Sequence, residues 1–244
     1  MPLSPPASAF DFDPLSSSGG ITVKGMNLGT IAVGVDGRRW KYASAGTVDL
    51  VAGNLLQQAA PVGNHLNRVA GDAAAIGALA ATLDIGATTA AANDYAEGYL
   101  VINDAAGEGH SYLIRSHPAF ASSEASARVE LFEPIKVALT ADTSEGSLIW
   151  NPCKNLIQMP TTATAPPAGV APFAVDDADF FWVLVHGVGS VLVEATAAPA
   201  AGVAISSSVV TAGAVVAAAL ARGPIGYMIQ AGVTGENNVA FLLL

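Results

Sequence analysis

The sequence predicts an all-β protein: antiparallel β-sandwich or barrel domains, an extended N-terminal arm and little helix. Three observations predict it. Residues 99–115, YLVINDAAGEGHSYLIR, place two β-rich runs around a Gly-containing loop, which is the pattern of an antiparallel hairpin. Asp36-Gly37 is a strong turn pair between a second such pair of runs, IAVGV and RWKY. Short apolar runs then recur along the chain, cut by Gly and Pro at short intervals, with no long helical period.

Residues 1–20 hold four prolines, a serine run and a Gly-Gly pair without periodicity. They form the extended arm. Phe10 and Phe12 stand out as apolar anchors that could dock on a neighbouring chain or tuck onto the parent domain. A first β-rich domain follows at 21–159, with the 99–115 hairpin at its centre. Its strand candidates are 20–23, 31–35, 39–42 and 48–51, with strand pieces around Leu55-Leu56. The Ala-rich stretch 70–81 carries Gly71 and Gly77, which oppose helix, and reads as loop and strand. Thr82 to Ile85 alternates as a strand, and 90–95 has the composition of one short helical turn.

Beyond the hairpin, ARVELFE at 127–133 alternates apolar and charged residues, as a half-exposed strand does. Short strands are expected at 147–150 and 156–159, around Asn151-Pro152. The stretch 160–172, PTTATAPPAGVAP, reads as a semi-extended linker. A small barrel-like domain is expected at 173–244. It opens with the most hydrophobic strand of the chain, FFWVLVH at 180–186, then a turn at Gly187-Val188-Gly189 and a return at 190–194. Further strands are expected at 203–205, 214–216, 226–230 and 239–244.

Composition restricts the partners. Charged residues are only 12%, about half the usual share, so much of the surface is expected to be covered by other protein. A net charge of -10 opposes binding to nucleic acid, which needs a basic footprint. The longest Val/Ala run, 209–221, is too short and too interrupted to span a bilayer as a helix. The opening MPLSPPASAFDFDPL has no basic-then-apolar leader, so the product is expected to be used without export. One cysteine, Cys153, permits no intrachain disulfide.

The search for chemistry is mostly negative. Neither nucleotide-binding glycine pattern occurs, nor HExxH, CxxC or GxSxG. His110 and His117, with Asp104 and Glu108, lie in or near the central hairpin, but their spacing is not that of a metal site. His65 and His186 read as isolated structural residues. Cys153, beside Lys154, reads as a buried small hydrophobe rather than a nucleophile. Asp176, Asp177 and Asp179 lack the glycine-containing calcium loop and read as a charged turn that blunts strand pairing. Arg38, Arg39 and Trp40 mix base and aromatic and read first as a solvated hairpin side, with contact to an acidic partner as the alternative. No catalytic residue, metal or cofactor is assigned.

Two stretches resemble a family. YAEGYLVINDAAGEGHSYLIRSHP with RVELFEPIKVAL is similar to head-associated structural proteins of tailed bacteriophages. DDADFFWVLVHGVGSVLVEATAAPAAGVAI and GPIGYMIQAGVTGENNVAFLLL resemble the β-rich domains of phage capsid decoration proteins. The resemblance implies a non-enzymatic virion protein, often a homotrimer, seated on the major capsid protein at the outer face of the head. It implies assembly in the host cytoplasm; the expectation of no nucleic-acid and no membrane partner rests on the net charge and the short apolar runs. The competing class is a carbohydrate-binding or adhesin module of a tail or fibre, with Trp40, Tyr42, Trp150 and Trp182 as its candidate stacking rings.

Overall fold

The computed structural model describes residues 20–219 and 222–244. The expected arm at 1–20, with Phe10 and Phe12, lies outside the described residues except for Gly20. The described chain is almost wholly β, with antiparallel strand pairing throughout the two sheets. Its one helical element is a three-residue 3-10 turn, Gly63–His65. Among the described residues no helix is long and apolar enough to cross a membrane.

Two sheets divide the strands. The six-stranded sheet takes the middle of the chain: β4 (Arg68–Val69), β5 (Ala80–Leu83), β6 (Tyr99–Asp104), β7 (Ser111–Ser116), β8 (Ala127–Leu131) and β9 (Glu145–Ile149), in the order β4-β9-β6-β7-β8-β5. Its edges meet, because Asp84 N–H donates to Val69 O and Gly71 N–H to Thr82 O, so the sheet nearly closes into a barrel. Strand alternation fills that barrel. Leu100 and Ile102 on β6 and Tyr112 and Ile114 on β7 point inward, against Val129, Leu131 and Leu148.

The ten-stranded sheet takes strands from both ends of the described chain. It holds β1 (Ile31–Val33), β2 (Arg39–Ser44), β3 (Leu55–Gln57), β10 (Ile157–Gln158), β11 (Pro167–Val170), β12 (Phe180–Leu192), β13 (Ala204–Ser207), β14 (Val215–Ala217), β15 (Gly226–Met228) and β16 (Asn237–Leu243). The thirteen-residue β12 is its spine, pairing with β2, β11 and β16. Phe181, Val183 and Val185 enter one core cluster, while Leu184 enters another with Trp182 packed against it. Burial on both faces explains the unbroken apolar run of FFWVLVH.

The hairpins at Asp36-Gly37 and at 99–115 form as read, with Gly37 in the left-handed region at φ 81°. Other expectations are corrected. The division at 160–172 does not follow the sheets: β11 lies inside that stretch, between β3 and β12, with Val170 and Ala171 buried. Nor does 173–244 form a separate barrel, because its strands share one sheet with β1, β2 and β3.

Gly187-Val188-Gly189 is not a turn. β12 runs straight through it, with a register shift between Leu184 and His186. Gly187, at φ 99°, passes close to Arg38, and a Cβ on Gly189 would lie 2.4 Å from Leu184 Cδ2. These glycines serve a bulge and a close approach. The helical turn expected at 90–95 is a series of non-helical turns, since Asn93 and Glu97 take φ of 63° and 64°. The runs 20–23 and 48–51 contribute only isolated bridges, Ile21 to Phe180 and Leu50 to Val175.

Candidate interaction surface

Three of the five candidate contacts fall in the described chain, and the fold separates them. Trp40 is 1% exposed in the core of the ten-stranded sheet, so it is not a surface contact. Arg38 lies with its guanidinium carbon 5.2 Å from the centre of the Trp40 ring, and its Nε donates to Asp36 Oδ2. That neighbour holds the Asp36 carboxyl below its ordinary range, through hydrogen bonds from the Arg38 backbone and side chain. Arg39 alone is exposed, opposite Val33 on β1.

The histidines occupy a different kind of site. His65, Tyr95 and His117 come from the 3-10 turn, the loop before β6 and the position just after β7, and all three are buried. His65 Nε2–H donates to Thr88 O at 2.8 Å, which leaves Nδ1 to accept from the Tyr95 hydroxyl. His117 Nδ1–H donates to Pro118 O at 2.6 Å, and its Nε2 accepts from Tyr95 N–H at 2.8 Å. The His117 ring stacks on Phe120 with centroids 4.3 Å apart. Both rings are thus satisfied as neutral imidazoles. Burial lowers the His117 pKa from its ordinary value, opposed by the bond to Pro118 O and the Asp94 charge. Burial also pushes the Tyr95 hydroxyl far up, helped by Asp94 and opposed by the Trp150 indole. An inaccessible, fully bonded trio of this kind fixes loops and presents no base to a substrate.

The remaining chemical candidates stay apart. His110 Nδ1 lies 3.0 Å from Gly107 O within its own hairpin loop. Among the described residues no group of three or more His, Cys, Asp or Glu side chains is placed to hold a metal. Cys153 is buried, and burial raises its thiol pKa, with Lys41 rather than the adjacent Lys154 as the opposing cation. The crevice between Tyr95, Trp150 and Pro166 holds about 40 Å³, room for a water rather than a ligand.

The feature that sequence reading missed is a sheet face. Val188 on β12, Phe241 on β16 and Tyr227 on β15 stand directly opposite one another in register. Side chains in one such row share a face, and these three are 46%, 36% and 45% exposed. Leu243, two residues from Phe241, extends the face and pairs with His186, whose ring meets Phe241 edge-on at 5.2 Å. The opposite side of the same strands carries Ala240, Leu242 and Met228 into the core. An apolar row on both faces of an outer sheet departs from the usual polar-out alternation, and the sequence carried its signal in the terminal run VAFLLL.

Comparison with known proteins returned no match among protein-family models, curated proteins or solved structures.

Proposed function

We propose that the protein is a virion structural protein: a decoration or cement protein that seats on the major capsid protein of a tailed phage head and stabilises the shell. The apolar row Val188–Phe241–Tyr227 carries the reading, since a contiguous exposed apolar patch is the mark of a protein contact. A charged fraction of 12% suits a chain covered by partners of its own kind and by the shell, here as a homotrimer. The rigid β scaffold and the buried, satisfied histidines fit a structural role without catalysis.

A tail or fibre module that binds carbohydrate has less support. Its stacking rings would need exposure, yet Trp40 and Tyr42 are buried, and Trp150 and Trp182 pack against core clusters.

The test is stoichiometry on purified particles. Many copies per particle distributed over the head are expected. A few copies confined to the tail would turn the reading to the adhesin class, and absence from particles would reject both.

A further inference from the structure

A cleft of about 450 Å³ lies between the two sheets, within the size range of ligand sites. Its charge is the reverse of the chain's. The sequence holds twice as many acidic as basic residues, 20 against 10, yet Lys24, Arg115 and Lys154 line this cleft and no carboxylate does. Their counter-ions stand outside the lining. Lys24 meets Glu97 at 2.6 Å, and Lys154 meets Asp94 at 3.7 Å while donating to Asp94 O. Arg115 is the least compensated. Its Nη2 is 3.7 Å from Glu130, a carboxylate that Arg128 holds at 2.8 Å. The Arg115 side chain is 51% exposed, so its planar fork is open to a second carboxylate. The remaining wall is mixed: Ser44, Asn93, Ser116 and Asn155 are polar, while Leu28 and the Phe180 ring, which is stacked on Tyr42, supply its large apolar contacts.

The chain itself supplies a complementary segment. Phe10-Asp11-Phe12-Asp13 alternates aromatic and acidic residues. An extended backbone puts the two rings on one side and the two carboxylates on the other. The described chain begins beside the cleft: Ile21 N–H donates to Phe180 O at 2.9 Å, the Phe180 N–H is returned to Ile21 O, and Lys24 follows. The eight residues from Asp13 to Ile21 can span up to about 26–29 Å, so reach is not limiting.

We propose that this cleft is the docking site of the acidic-aromatic segment 10–13 of the same chain. Asp11 and Asp13 meet Arg115 and the two lysines, and the phenylalanines lie along Leu28 and Phe180. The proposal is independent of the virion reading, and its test needs only the purified full-length chain. Phe10 and Phe12 are chymotrypsin sites, so docking protects the bonds after them. Cleavage there is followed by mass spectrometry at trace protease. Asp11→Asn with Asp13→Asn, and separately Arg115→Glu, should each speed cleavage about tenfold, the scale of a lost charge-assisted contact. A single swap, Asp11→Arg or Asp13→Arg combined with Arg115→Glu, leaves the other aspartate for Lys24 and Lys154 and should regain part of the protection in one of the two pairings, which a merely misfolded variant would not. Lys136→Glu, an exposed cation outside the cleft, should change nothing. Equal rates in wild type and all variants would overturn the proposal. Protection that grows with protein concentration would overturn the same-chain assignment in favour of a neighbouring copy.

Discussion

The backbone N–H of Tyr95 donates to Nε2 of His117 across 2.8 Å, twenty-two residues away in sequence. The bond requires a bare ring nitrogen, because the other nitrogen of His117 is already committed to Pro118 O. A proton on Nε2 would therefore break it, inside a site where burial and the Lys154 charge also disfavour added positive charge.

Stability should depend on pH through this ring. The folded His117 titrates below its ordinary value of 6.5, so below 6.5 the unfolded chain binds the extra proton first. Stability from this group is complete above 6.5 and is lost as pH falls towards the lowered folded value. His117→Gln keeps an acceptor without a titrating ring. Denaturant melts at several pH values should show a flatter acid slope for that variant, and identical slopes would remove His117 as the cause.

Tyr95→Phe should destabilise the protein by about 1–3 kcal/mol, because it leaves the buried His65 Nδ1 without a donor. The volume hardly changes, so cavity formation does not confuse the measurement. Tyr99→Phe, at an exposed position, is the control and should be close to neutral. A Tyr95→Phe midpoint equal to that of wild type would mean that the hydroxyl contact contributes nothing net.

The sequence made some of this legible and hid the rest, for local reasons. The β6–β7 hairpin was visible because Leu100, Ile102, Tyr112 and Ile114 alternate with exposed neighbours around a Gly-rich loop. The site of Tyr95 was not visible, since its partners lie thirty residues before and twenty-two after, with no motif linking them. β11 was hidden by its own composition: Pro167 and Gly169 look like linker residues. Pro167 is the first residue of its strand, and a Cβ at Gly169 would lie 2.4 Å from Val183 Cγ2. The candidate face was hidden because Val188 sits between two glycines that read as a turn.

Gly187 tests that correction. At φ 99°, with Arg38 Cα only 3.2 Å from a built Cβ, Gly187→Ala should cost more than about 1 kcal/mol. Gly63→Ala, where a Cβ meets nothing within 4 Å and φ is not positive, should be neutral or slightly stabilising. If Gly187→Ala cost no more than the control, the close approach to Arg38 would contribute nothing, and paired thermal melts distinguish the two cases.

The last prediction concerns the exposed row. Phe241→Glu places a charge at its centre, between Val188 and Tyr227, without touching the inward-facing Ala240 and Leu242. Glutamate has a weaker strand preference than phenylalanine, but at an exposed position the cost to the fold should stay near 0.5 kcal/mol. At an interface the effect is larger. Full burial of one such ring is worth about 1.5–3 kcal/mol, and the variant would also bury an unpaired carboxylate. Self-association and particle binding should therefore weaken by at least about tenfold while the melting temperature changes little. Sedimentation equilibrium reads the first effect and occupancy on particles reads the second. Should both stay at wild-type level, the row is an ordinary exposed surface and the contact lies elsewhere on the chain. Loss of particle occupancy with an unchanged oligomer would assign the row to the shell rather than to the partner subunit.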